Sequence, residues 1–196
     1  KDLIQITKVA EKFGTIVLID EAYHHFYSGT MIKFVSEFNN LIITRTFSKA
    51  FGLASIRIGI LIGNNKMISE LYKIKLVHEI TGLGAKISSY LLDHLHIVDR
   101  YVNDVNLGKE VLYSRFKKIG FEVLKSEANF VFFKAPSSTE PSHLKEYLET
   151  KKILIRGPFV KHPFDQHLRI TAGDKNQMNI FCDAIEDYIN NFQINN

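Results

Sequence analysis

Thr44-Arg45-Thr46-Phe47-Ser48-Lys49-Ala50-Phe51-Gly52-Leu53-Ala54-Ser55-Ile56-Arg57-Ile58-Gly59 lies between two apolar runs, Leu41-Ile42-Ile43 before it and Ile58 to Ile62 after it. The pattern predicts a strand at 41–46, a polar exit, and a return strand at 56–62. Small and hydroxylated residues and one lysine, Lys49, mark the exit, with Arg45 before it and Arg57 after it. An amine is a nucleophile only when neutral, a form that burial and a neighbouring fixed cation both favour. A lone Ser-Lys pair after a strand equally suits a solvated loop, so the rest of the chain must supply its partners.

Working toward the N-terminus, Leu3, Ile6, Val9, Ala10 and Phe13 recur at helical spacing, and Gly14 reads as the helix stop. Thr15-Ile16-Val17-Leu18-Ile19 is a continuous apolar run rich in β-branched residues, as expected of a strand covered on both faces. It ends in Asp20-Glu21-Ala22-Tyr23. A short helical piece over 31–38 leads back to Leu41. Helix and buried strand alternate, so the first half of the chain reads as α/β, with its ligand site at the carboxyl ends of the strands.

Toward the C-terminus, helical periodicity covers 66–75, is interrupted at Gly82-Leu83-Gly84 and resumes over 85–95. A long helix over 97–118 suits a connection to a second lobe. That lobe reads as α+β. Strands are expected at 121–124, 130–133, 153–155 and 168–171. A short helix follows Ser142 as its cap, and a closing helix covers 176–192. The expected division is 1–96 as part of a large domain, 97–119 as the connecting helix and 120–196 as a small domain.

The 196 residues carry 25 basic and 21 acidic side chains, for a net charge of +4. Both signs are interspersed, which describes a mildly basic surface and not a nucleic-acid groove. No apolar run approaches the roughly 20 residues that cross a bilayer, and Lys1-Asp2-Leu3-Ile4-Gln5 does not read as a signal peptide. The single Cys182 leaves no internal disulfide framework, so a reducing, cytoplasmic setting is expected.

Asp20 and Tyr23 close one strand, and Lys49 closes another. Pyridoxal 5′-phosphate (PLP) chemistry asks for such a set. An aspartate keeps the pyridine ring an electron sink, a phenol bonds the 3-oxygen, and a lysine bonds the aldehyde carbon and moves a proton. Thr46, Ser48 and Arg57 are available for the phosphate. A metal site built on His24-His25 with Asp20 and Glu21 is not expected, because adjacent side chains of an extended segment diverge. A serine–lysine hydrolase would leave Asp20, Tyr23 and the later arginines without a role.

Ile19-Asp20-Glu21-Ala22-Tyr23, Arg45-Thr46-Phe47-Ser48-Lys49-Ala50-Phe51-Gly52-Leu53-Ala54 and Ile56-Arg57-Ile58-Gly59 resemble, in order and spacing, the core of fold-type I PLP-dependent aminotransferases, histidinol-phosphate group. Ser126-Glu127-Ala128-Asn129-Phe130, Ile153-Leu154-Ile155-Arg156 and Leu168-Arg169-Ile170-Thr171-Ala172-Gly173 extend the resemblance to the small domain. It implies Lys49 as the Schiff-base lysine, Asp20 at the ring nitrogen and Tyr23 at the 3-oxygen. It further implies Ser48, Arg57 and Thr46 at the cofactor phosphate, and Arg169 with Arg156 at a substrate carboxylate or phosphate. The implied reaction is transamination between an amino acid, glutamate above all, and a phosphorylated or carboxylated partner, in a homodimer.

The resemblance covers somewhat over half of the family's usual length. The family's glycine-rich phosphate turn, ring-stacking aromatic residue and N-terminal arm have no counterpart in these residues. Ser55 stands where glycine is common, and His78 to Gly84 departs from the usual lead into the next helix. A threonine-phosphate decarboxylase and a non-catalytic piece of the same fold are the alternatives.

Overall fold

The N-terminal helix α1 (Asp2–Lys12) ends where Gly14 takes φ +62°, a conformation glycine adopts without a Cβ penalty. Residues 1–77 and 79–192 are described by the computed structural model; His78 lies outside them. They form two compact units, Lys1–Asp99 and Arg100–Asn196.

In the first unit, β1 (Val17–Asp20) pairs in parallel with β2 (Leu41–Thr46), and β2 pairs antiparallel with β3 (Gly59–Gly63). Val17, Ile19, Leu41, Ile43 and Ile62 share one face by alternation. That face packs with Ile4 of α1 and with Met31, Phe34, Val35 and Phe38 around a single 3₁₀ turn. The strand 41–46 forms over the residues its pattern predicts. Three expectations for this unit change. β1 is not covered on both faces: it is a sheet edge, and Leu18 on its other face is 57% exposed. The stripe Leu3, Ile6, Val9 and Phe13 of α1 is exposed, because the helix turns Ile4 and Thr7 inward. The return strand begins at Gly59 and not at 56, because Ala54–Ile56 is a 3₁₀ turn and Arg57 adopts a left-handed φ of 55°.

Two helices follow, α2 (Asn65–Tyr72) and α3 (Gly82–Asp93). Gly82 and Gly84 do not interrupt α3. They form its first turn, where the Thr81 hydroxyl caps the Gly84 amide at 3.1 Å. The long helix α4 (Leu95–Lys118) follows, and the division between the units falls within it.

The second unit holds an antiparallel sheet of β4 (Glu122–Leu124), β5 (Phe130–Lys134) and β6 (His167–Thr171). Helices α5 (Pro141–Thr150) and α6 (Lys175–Phe192) complete it. Phe116, Phe133, Phe181, Leu112, Leu144, Leu148, Leu168 and Ile185 are fully buried. The cap of α5 is Glu140 rather than Ser142: its side chain accepts from the Ser142 amide and Pro141 takes the first helical position. No strand forms at 153–155; only Arg156 pairs, in an isolated bridge to Arg169. Lys152 at φ 61° and Gly157 at φ 110° bracket that run.

Candidate functional site

The carboxyl ends of β1 and β2 carry the residues singled out from the sequence. Asp20 ends β1 on an exposed face, where its Oδ1 accepts from the Ala22 amide at 3.0 Å and from the Thr44 hydroxyl at 3.4 Å. Its Oδ2 has no hydrogen-bond partner among the described residues. Tyr23 opens the following turn, its carbonyl accepting from the Phe26 and Tyr27 amides at 3.0 Å each.

The loop after β2 folds back on itself. The Phe47 amide donates to Ile58 O at 3.1 Å and the Leu53 amide to Phe47 O at 2.9 Å. Phe47 and Ala50 are buried, and the Phe47 ring lies 4.6 Å from that of Phe51. These anchors leave Ser48 and Lys49 half-exposed. The Lys49 ammonium lies 5.5 Å from the centroid of the Tyr23 ring, within cation–π range. The Thr46 hydroxyl is committed inside the loop, accepting from the Ser48 amide at 3.1 Å and donating to Ile58 O at 3.5 Å. Arg57 is exposed and donates through Nη1 to Ala54 O at 3.0 Å, leaving the rest of its fork open. The structure thus brings Lys49 to Tyr23, Asp20 to Thr44 and Thr46 to Ser48.

The second unit holds Arg156 and Arg169. Each donates its amide to the other's carbonyl, at 2.9 and 2.7 Å. This is the closely bonded pair of an antiparallel bridge, which sets both side chains on one face of the small sheet. The Arg169 guanidinium lies over the Phe130 ring at 5.0 Å.

Three residues without an assigned role in the sequence form a connected polar cluster nearby. Glu21 is buried and accepts from the Arg45 Nε and Nη2 at 3.1 and 2.8 Å, from the Thr30 hydroxyl at 2.8 and 3.0 Å, and from the Met31 amide at 2.7 Å. Arg45 Nη2 also donates to Thr30 Oγ1 at 2.8 Å. Burial raises the Glu21 carboxyl pKa, but the Met31 amide, Thr30 and Arg45 together outweigh it and hold the value below the ordinary carboxylate range. The legible signal was parity: two acids at a strand end must point to opposite faces, and Arg45 stands one step beyond the residue paired with Asp20.

His24 and His25 lie in a turn and not in an extended segment, with their rings 5.0 Å apart. They line a cavity of about 220 Å³ with Glu21, Arg45, Phe47 and Leu92. Both pKa values are lowered. Burial is the chief cause for each, reinforced by the Arg45 charge at His24, and by His24 and then Arg45 at His25. Among the described residues, no group of three or more His, Cys, Asp or Glu side chains is arranged to hold a metal ion. No described helix is long and apolar enough to cross a membrane.

Residues 1–185 match the family described as aminotransferase class I and II. The chain is 32% identical over 184 residues to histidinol-phosphate aminotransferase 1 of Trichormus variabilis, covering 94% of this chain and 52% of that protein. The crystal structure of the histidinol-phosphate aminotransferase from Clostridium acetobutylicum matches with a TM-score of 0.81 at 24% identity, covering 96% of this chain and 58% of the other. That of the Sinorhizobium meliloti histidinol-phosphate aminotransferase, in complex with pyridoxal-5′-phosphate, matches with a TM-score of 0.79 at 22% identity, covering 90% and 49%. The chain spans about half the length of the curated relatives it matches. With a family match that runs through both units and a fold shared with solved members, this chain belongs to the class I and II aminotransferases.

Proposed function

We propose that the chain carries the lysine-bearing part of a PLP-dependent aminotransferase of the histidinol-phosphate type. The observation that carries this reading is the setting of Lys49: its ammonium lies over the Tyr23 ring, and Asp20 keeps one carboxylate oxygen uncommitted at the end of the neighbouring strand. The donor set fits PLP group by group. A primary amine is available for the aldehyde. Asp20 suits the ring nitrogen, because Glu21 is saturated and faces the other way. The Tyr23 phenol suits the 3-oxygen, and Arg57 and Ser48 suit the phosphate, with Thr46 fixing the Ser48 amide. PLP, when bound, supplies an electron sink for the bonds of the substrate's Cα.

The chain's own residues do the rest. Asp20 holds the ring nitrogen protonated, and Tyr23 orients the ring and flanks the amine. Lys49 would accept the proton from the amino donor's Cα in one half-reaction and supply one to the Cα of the oxo acceptor in the other. Arg169 and Arg156, sharing one sheet face, take the carboxylate or phosphate of the substrate. In this reading 1–96 belong to the cofactor-bearing lobe, 97–119 to the connecting helix and 120–196 to the smaller lobe. The donor is glutamate and the acceptor a phosphorylated or carboxylated oxo compound. The enzyme works as a cytoplasmic homodimer, for which the exposed Ile74, Leu76, Val77 and Leu83 supply apolar contact surface.

The test is a half-reaction. PLP-loaded protein is mixed in turn with glutamate, histidinol phosphate and threonine phosphate, and the cofactor and products are separated by chromatography. Conversion of PLP to pyridoxamine phosphate by the first two, lost in Lys49→Ala, is expected. Release of carbon dioxide from threonine phosphate would move the assignment to decarboxylation. Bound PLP that no amine converts would contradict both.

A further inference from the structure

Three stretches of chain meet at the Glu21 carboxylate. The first is the end of β1, which carries Glu21 itself beside Asp20. The second is Thr30-Met31, which follows the turn running from Tyr23 to Tyr27 and whose hydroxyl and amide both donate to Glu21. The third is β2, whose Arg45 reaches Glu21 with two donors. Arg45 sits four residues before Lys49 on the same strand and exit. The three side chains expected to touch the cofactor therefore hang from three segments tied to one carboxylate.

We propose that Glu21, with Arg45 and Thr30, is a positioning unit that sets Asp20, Tyr23 and the strand leading to Lys49 at the separation the cofactor requires. The inference rests on the PLP reading above. Two features separate it from a general stabilising role. A buried ion pair is a poor source of stability compared with apolar residues of similar volume, whereas its fixed fork and lone pairs direct the groups they join. Strand alternation also makes the unit local to the site: Glu21 points away from the face that carries Asp20, so it holds the frame without competing for the ligand. A displacement of about 1 Å at such a site costs on the order of 100-fold in rate.

The experiment compares the wild-type chain with Thr30→Val, Thr30→Ser and the double variant Glu21→Met/Arg45→Met. Each is incubated with PLP and reduced with borohydride at timed intervals. Label on Lys49 is counted by peptide mass spectrometry, and a thermal melt reports the fold. Apolar replacement of both charges restores packing but not direction. The double variant is therefore expected to melt cooperatively near wild type yet label Lys49 at least about 10-fold more slowly. Thr30→Val is expected to slow labelling similarly, and Thr30→Ser, which keeps the hydroxyl, to restore it. Wild-type labelling rates in a folded double variant or in Thr30→Val would overturn the proposal. Where the double variant fails to fold, the Thr30 pair decides. Absence of Lys49 label in the wild-type arm would instead overturn the PLP reading, and this inference with it.

Discussion

Asp20 and Glu21 leave the same strand side by side and meet opposite fates. Asp20 stays exposed with an oxygen to spare, while Glu21 is buried under five donor contacts. Asp20 was legible because its place before Tyr23 matches a known chemistry. Glu21 was legible only in part: parity turns it off the Asp20 face, but its partners come together through the sheet register for Arg45 and through the loop before Met31 for Thr30. The burial behind the site has a consequence in acid. His24, His25 and Glu21 all titrate at lower pH in the fold than in the unfolded chain. For each, the unfolded state takes up its proton first, so the stability it contributes is complete at higher pH and is lost as pH falls. The histidine share fades below the ordinary imidazole value of 6.5 and the Glu21 share below the ordinary carboxylate value of 4.5. Thermal melts between about pH 8 and 3 should show a melting temperature that declines in both windows. The pair His24→Gln/His25→Gln should flatten the upper one and leave the lower. An upper window unchanged in that pair would show that these histidines do not set it.

Elements with a strong period formed where the pattern put them: β2, β5, α4 and α6 differ from expectation by no more than two residues. The misses have separate causes. Ile153 to Ile155 is apolar and mostly β-branched, but it lies between residues of positive φ, Lys152 and Gly157, and only the adjoining Arg156 pairs, in one isolated bridge. The glycines at 82 and 84 looked like breakers and became a capped first turn, since Thr81 satisfies the amide they expose. Lys109 stands with Val105, Leu112 and Phe116 on the apolar stripe of α4, a lysine where the period asks for a hydrophobe. It is buried and donates to Ser126 O at 2.9 Å and Ala128 O at 3.1 Å, pinning the segment that enters β5. Its neighbour Gly108 is there for space. A Cβ on Gly108 would overlap the carbonyl oxygen of Gly173, just beyond the strand that carries Arg169. Glycine-to-alanine in a helix interior ordinarily gains about 0.5–1 kcal/mol. Here the overlap reverses the sign, and Gly108→Ala is expected to lose about 1–3 kcal/mol in urea unfolding. A stabilised Gly108→Ala would show that helix and loop do not approach as closely as described.

The chain forms two units with separate cores, and both halves of the proposed chemistry are divided between them: amine, ring and phosphate groups in Lys1–Asp99, the arginine pair in Arg100–Asn196. The first unit also carries much exposed apolar surface, including Ile74, Leu76, Val77 and Leu83, each more than 70% exposed. Isolated exposed hydrophobes are ordinary, but a run of them marks a contact surface. Sedimentation equilibrium should give twice the chain's mass at micromolar concentration, and Leu76→Lys/Val77→Glu should shift it toward the monomer. A monomer in the wild type at those concentrations would remove the homodimer from the account. The fold class was readable from short-range patterns, and so was the choice of Lys49 as the candidate amine. The arginine pair's shared face was not, since it depends on one long-range bridge.

The claim on which all of this turns is that Lys49, and not another of the chain's lysines, receives PLP. Borohydride reduction of the PLP-treated protein, followed by digestion and peptide mass spectrometry, reads it directly. The account predicts one stoichiometric phosphopyridoxyl label on Lys49, absent in Lys49→Ala and reduced in Asp20→Asn. Label scattered over surface lysines, with Lys49 no more modified than the rest and the total unchanged in Lys49→Ala, would contradict it.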